Sequence, residues 1–160
     1  MTTTIEQRMQ SPVYVVPEAM EALYALSASA RKAGIRRETA LFVELRASQI
    51  NGCSFCVDMH SRELKEMGVS DERIWSVGAW REAPYYTDAE RAALALTEAL
   101  TRIADRADPV PDEIWDDATE HYNERQLAGL ILEIAGINVW NRLNVAVRQV
   151  AGAVPVTAAG

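Results

Sequence analysis

A chain of 160 residues, 49% of them apolar, is long enough for one domain with a substantial core and too hydrophobic to stay disordered over most of its length. Its net charge of −7 denies it the basic footprint that nucleic acid or an anionic membrane surface requires. Every apolar run falls well short of the ~20 residues of a membrane-spanning helix. Residues 1–10 are polar and carry no hydrophobic stretch of the secretory type, so the expected compartment is the cytoplasm. In a reducing compartment, two cysteines do not make a disulfide scaffold. A C-x-x-C pair there reads as redox or metal chemistry.

Residues 1–16, with Ser11-Pro12 and the run Val13-Tyr14-Val15-Val16, read as an N-terminal arm. Pro17 suits a first helical turn. Met20, Leu23, Tyr24 and Leu26 then give a helical pattern over 17–32 that ends at Gly34. A second helix is expected over 37–50, with Leu41, Phe42, Leu45 and Ser48 on one face, and it stops at the turn signal Asn51-Gly52. A third runs over 53–67 and closes at Gly68. Ser70 reads as the N-cap of a helix over 71–80 whose acidic first turn suits the helix dipole. Pro84 breaks the chain, and Thr87-Asp88-Ala89-Glu90 has the pattern of a capping box, opening a long helix to about residue 106.

Asp108-Pro109-Val110-Pro111 is a turn, followed by a short helix over 112–122. Asn123-x-x-Gln126 caps a last helix reaching to about residue 150, and residues 153–160 read as a frayed tail. No stretch alternates with a period of two, so the expected fold is all-α, a single domain over 17–152 with about seven helices and short connections. The last helix is apolar around much of its circumference, through Leu130, Ile131, Leu132, Ile134, Ile137, Val139 and Trp140. Such a helix is buried centrally or at a subunit interface, and in a chain of this size an interface and a homo-oligomer are expected. On that helix, Asn141 and Arg142 are expected to make polar contacts between subunits.

The chemistry concentrates in Asn51-Gly52-Cys53-Ser54-Phe55-Cys56-Val57-Asp58-Met59-His60. At about 100° per residue, Cys53, Cys56 and His60 fall within an arc of about 60° on one helix. The helix N-terminus favours a thiolate, and His60, one turn beyond Cys56, is placed to take or relay its proton near neutral pH. The spacing lets the two sulfurs close a disulfide with little chain movement. Other readings stay open. Cys53, Cys56 and His60 with His121 as a fourth ligand would make a structural zinc site. Two cysteines are also simply small residues that bury well. Haem attachment needs a histidine directly after the second cysteine, where Val57 stands. No nucleotide, flavin or haem motif is present, so no cofactor is expected. Glu44, in the preceding helix, is a candidate partner for His60 or an ion-paired helix residue. Trp80 and Tyr86 are candidates to line a pocket, and His121 reads as a surface or cap residue.

The segment Glu44-Leu-Arg-Ala-Ser-Gln-Ile-Asn-Gly-Cys53-Ser-Phe-Cys56-Val-Asp-Met-His60 resembles the core of the carboxymuconolactone decarboxylase family, in its alkylhydroperoxidase D-like branch. The similarity spans about residues 37–122, and Asn138-Val-Trp-Asn-Arg142 also resembles it. The resemblance implies an all-α fold, assembly into trimers or hexamers, and thiol-dependent peroxidase activity recycled by an external dithiol donor. It implies that Cys56 becomes the sulfenic acid, that Cys53 resolves it, and that His60 with a glutamate and a water relays protons. Members with true lactone decarboxylase activity lack the cysteine pair. Two positions depart from the branch. Its relay glutamate, twelve residues before the first cysteine, is Leu41 here, with Glu44 nine before; and its histidine before the second cysteine is Phe55. A redox sensor or binding protein of the same fold, with little turnover, is the alternative.

Overall fold

The computed structural model describes residues 5–152, apart from the side chain of Asp105. Among the described residues there are eight α-helices and no strand: α1 Pro12–Val15, α2 Pro17–Arg31, α3 Arg37–Asn51, α4 Ser54–Glu66, α5 Asp71–Ser76, α6 Asp88–Thr101, α7 Asp112–His121 and α8 Glu124–Val147. The all-α expectation therefore holds. The expected frayed tail, 153–160, lies outside the described residues.

The centre of the fold is α3. It packs against α4, α6 and α8, and buries Leu41, Phe42, Val43, Leu45, Ala47 and Ser48 almost completely. One side of α3 joins a cluster of Leu64, Ile74, Val77, Trp80, Tyr86 and Leu94. Its other side, through Val43, joins Ala93, Leu96, Ala118, Leu127, Leu130 and Ile134. Each fully buried leucine or phenylalanine in these clusters contributes about 1.5–3 kcal/mol of hydrophobic stabilisation.

Both capping boxes form. The Thr87 hydroxyl accepts from Glu90 N–H at 3.2 Å at the head of α6, and Asn123 accepts from Gln126 N–H at 3.0 Å at the head of α8. Four boundaries differ from the sequence reading. The arm contains a one-turn helix, α1, started by Pro12. The helix expected over 71–80 tightens after Ser76 into a 3₁₀ turn, Val77–Ala79, where a β-branched residue and a glycine weaken the α geometry. The helix opened by Thr87 ends at Thr101 and not near 106, giving way to a second 3₁₀ turn. The last helix ends at Val147, because Arg148 adopts a left-handed conformation (φ 55°) and turns the chain.

The buried stripe of the last helix mixes polar with apolar groups: Glu133, Asn138, Asn141 and Asn144 face inward beside Leu127, Leu130, Ile134 and Ile137, while Leu132, Val139 and Val145 are exposed. Asn141 is fully buried against α3 and makes its contacts within the subunit, since Asn51 Nδ2 donates to Asn141 Oδ1 at 2.9 Å and Asn141 Nδ2 donates to Ser48 Oγ at 3.0 Å. Arg142 donates to the Asn138 carbonyl at 2.9 Å. Asn141 thus clamps α8 to α3 within the protomer, whereas Arg142 is exposed and its bond stays within α8.

Helices α2 and α8 touch closely at Gly129, where an added Cβ would meet Ala33 Cβ at 2.3 Å. At Gly136, about two turns further along, an added Cβ would meet nothing within 4 Å. Gly129→Ala is expected to destabilise the fold by ~1–3 kcal/mol through overpacking. Gly136→Ala should be neutral or stabilising by up to ~1 kcal/mol through helix propensity. Urea unfolding of the two variants checks the contrast, and equal effects would contradict the α2–α8 packing.

Candidate redox site

The site begins where α3 ends. Gly52 takes a left-handed conformation (φ 68°) that a side chain would strain, and Cys53 N–H donates to the Ser48 carbonyl at 3.0 Å, closing the α3 C-terminus. The next residue is already the N-cap of α4. Cys53 is therefore not the first helical residue, as the sequence reading placed it, but an extended cap (φ −82°, ψ 93°) whose Sγ accepts from Cys56 N–H at 3.3 Å. A disulfide joins Cys53 to Cys56, with Cα atoms 5.4 Å apart. Both cysteines are sealed from solvent, at 2% and 1% exposure. Asn144 on α8 donates from Nδ2 to Cys56 Sγ at 3.4 Å. On reduction, a thiolate at either sulfur would meet a donor, the α4 first-turn N–H for one and the Asn144 amide for the other.

One turn along α4 lies His60, 3% exposed, with neither ring nitrogen hydrogen-bonded. Its Nδ1 is 3.6 Å from Glu44 Oε2 and 3.9 Å from Glu63 Oε1. Arg37, at the first turn of α3, holds both carboxylates, reaching Glu44 at 3.2 Å and Glu63 at 2.6 Å. A third carboxyl, Glu133 of α8, lies 3.8 Å from the same guanidinium and within hydrogen-bonding reach of Glu44. Three carboxyls thus share one arginine around a buried imidazole. Burial holds His60 neutral, lowering its pKa to about 4 against the pull of Glu63. Burial likewise raises Glu44, with Arg37 opposing and Glu63 adding to the rise. Burial and then the charge of Glu44 push Glu133 up to about 8. The Glu44–Glu133 pair therefore keeps one proton between its members at neutral pH.

The structure brings Glu44 to His60 between α3 and α4 and joins the two cysteines at the head of α4, one turn before His60. Residue 41, where the resembling branch carries a glutamate, is a fully buried leucine of the core. The candidate pocket residues turn out to be packing groups: Trp80 Nε1 donates to Glu98 at 3.0 Å, and the Tyr86 hydroxyl donates to the Arg73 carbonyl. His121 stands on the surface at the end of α7, 3.8 Å from Asp117, and is not brought to the cysteines. The zinc set read from the sequence is thus not assembled, and the disulfide leaves no thiolate for a metal. Asp117, Glu120 and His121 are close enough to share an ion, but all three are exposed on an acidic surface. Arg37, Glu133 and Asn144 are functional neighbours that the sequence does not single out. For Glu133 and Asn144 the signal is weak, charged and amide side chains recurring on one side of α8; Arg37, at the start of α3, carries none.

This is an all-helical protein with a buried dithiol–disulfide pair at a helix N-terminus. The sequence model of the carboxymuconolactone decarboxylase family matches residues 17–99, and the chain belongs to that family. The match starts 20 residues before the 37–122 span read from the sequence and ends inside α6. The uncharacterized protein YdfG of Bacillus subtilis is 39% identical over 132 residues, covering 82% of this chain and 88% of that one. A protein of unknown function from Agrobacterium tumefaciens, provisionally described as an antioxidant defence protein AhpD, superimposes with a TM-score of 0.85 at 34% identity, covering 93% of this chain and all of that one (100%). The debrominase Bmp8 shares the fold, with a TM-score of 0.77 at 22% identity, over 88% of this chain and 75% of its own.

The neutral, buried His60 has a direct thermodynamic consequence. The unfolded chain takes up a proton at this residue below about pH 6.5, which the folded protein refuses until about 4. Its contribution is complete above 6.5 and is lost as pH falls through that window, at a cost of ~3 kcal/mol. His60→Gln should flatten the dependence of unfolding free energy on pH between those limits. An unchanged slope in urea titrations at several pH values would contradict a buried neutral imidazole.

Proposed function

We propose that the protein is a cytoplasmic thiol peroxidase of the alkylhydroperoxidase D type. The observation that carries this reading is the Cys53–Cys56 disulfide at the head of α4, one helical turn from a His60–Glu44 pair. In the reduced state the Cys56 thiolate attacks the terminal oxygen of a hydroperoxide. The O–O bond breaks, Cys56 becomes the sulfenic acid, and the alkoxide takes a proton to leave as the alcohol. Cys53 then attacks the Cys56 sulfur, the disulfide forms and water departs. A donor dithiol returns two electrons and two protons and leaves as its own disulfide. Peroxide is the electron acceptor and the external dithiol the donor; no bound cofactor enters the cycle.

Each residue has a role that its surroundings support. The α4 N-terminus and the Asn144 amide stabilise thiolate. His60, with Glu44, exchanges protons with sulfur and leaving group, and Arg37 holds Glu44 and Glu63 against it. Assembly as a homotrimer or homohexamer fits the apolar side chains left uncovered on one protomer: Tyr14 and Val15 on α1, Val16 just after it, Tyr24 on α2, and Leu132, Val139 and Val145 on α8.

One observation favours a second reading. Cysteines exposed by only 2% and 1% are hard for a bulky donor to reach, so a redox sensor that changes state slowly fits the burial. Peroxide consumption with a small dithiol separates the two. The peroxidase reading expects steady turnover in the wild type and a loss of at least ~100-fold in both Cys56→Ser and Cys53→Ser. Unchanged turnover in both variants overturns it, and a single oxidation without turnover selects the sensor.

A further inference from the structure

Glu133 is the one charged side chain on the inward face of α8, and the cysteine cycle as written leaves it without a task. It is 6% exposed, and its Oε1 has no hydrogen-bond partner although it lies 3.8 Å from Arg37 Nη1. On one side it reaches Glu44, and through Glu44 the His60 Nδ1. On the other it lines a cavity of about 100 Å³ between α2, α3 and α8, walled by Ala30, Arg31, Ile35, Arg37 and Gly129. A cavity of that size with guanidinium and carboxyl groups in its wall has room and partners for water. His60 itself has no such outlet: it is buried, and its neighbours are the two carboxylates.

We infer that Glu133 is the outer member of a proton path that runs from the cavity through Glu44 to His60 and the cysteine pair. The inference rests on the redox reading of that pair. When a donor thiolate opens the disulfide, one electron pair stays on the released cysteine sulfur, which needs a proton. His60 passes it from one ring nitrogen as Glu44 protonates the other, so the ring stays neutral; Glu133 passes its proton to Glu44, and a solvent proton arriving through cavity water restores Glu133. The net change is one solvent proton delivered to sulfur. Glu133 touches neither sulfur nor substrate, so it is a positioning and relay residue. The charged groups around it are Arg31 from α2, Arg37 and Glu44 from α3, and Glu63 with His60 from α4. The Glu133 pKa of about 8 keeps its proton in place through neutral pH and close to that of an ordinary thiol.

The test compares wild type, Glu133→Gln and Glu133→Asp in two assays across pH 6–9.5: reduction of the disulfide by dithiothreitol, and turnover with hydroperoxide. Glutamine keeps the shape and a donor to Glu44 but passes no proton. The wild-type to Glu133→Gln rate ratio should be about ten-fold near pH 7, smaller than the effect of losing a direct general acid. It should fall toward one as pH rises through about 8, where wild type loses the same proton. Glu133→Asp should restore part of the rate, and the KM for peroxide should not move. A ratio that does not vary with pH, as a packing role would give, overturns the path. Dithiothreitol reduction needs no peroxide, so the two readings fail separately. A pH-dependent ratio there with no peroxide turnover keeps the path and removes the peroxidase. Brisk turnover with coincident profiles does the reverse.

Discussion

The reversal at Gly52 is the constraint on which the site depends. In a left-handed conformation, that residue lets α3 close and α4 open within a single step of chain. A side chain at Gly52 would meet no neighbour, so the requirement lies in the backbone and not in space. The reversal is pinned from α8, where Asn138 and Asn141 both accept from the Asn51 amide, at 3.0 and 2.9 Å. Because the same turn sets the entry of α4, it also sets the register of Cys53, Cys56 and His60 against the carboxyls of α3. Local chain geometry and the chemistry of the pair are therefore one feature.

A second consequence is electrostatic. Placing an imidazole among carboxyls inside a helical bundle is unfavourable unless charge is removed or matched. Here both occur. Arg37 matches two carboxylates directly, His60 stays neutral, and the Glu44–Glu133 pair holds a proton. What remains is a group of acids and bases whose proton affinities are moved away from their solution values by burial. Such a group suits proton exchange with a thiol near neutral pH. It also explains the mixed inward face of α8, which turns Glu133, Asn138, Asn141 and Asn144 toward this cluster and Asn51 while Leu132, Val139 and Val145 stay outside.

Much of this was legible in the sequence because it is local. The C-x-x-C pairing, the Asn51-Gly52 stop and the two capping boxes each lie within a few residues, and each formed. The all-α fold followed from the helical periodicity. Boundaries were less legible where propensity is weak, as at Val77-Gly78 and after Thr101. Glu133 and Asn144 were not legible at all, because they reach the site from a helix nearly 90 residues away in sequence, and only packing brings them to Glu44 and Cys56. Asn141 shows the same limit from the other side. A polar residue on an apolar helix reads equally well as an interface contact or as an internal clamp, and burial against Ser48 decides for the clamp.

The central claim is that the buried pair at the α4 N-terminus is chemically competent toward peroxide, with Cys56 as the attacking sulfur. The most direct measurement is the intact mass of fully reduced Cys53→Ser after one equivalent of hydroperoxide, with peptide mapping under a sulfenic-acid trap. The account predicts a gain of one oxygen atom, trapped at Cys56. An unchanged mass, or oxidation mapped only to methionine, would contradict it.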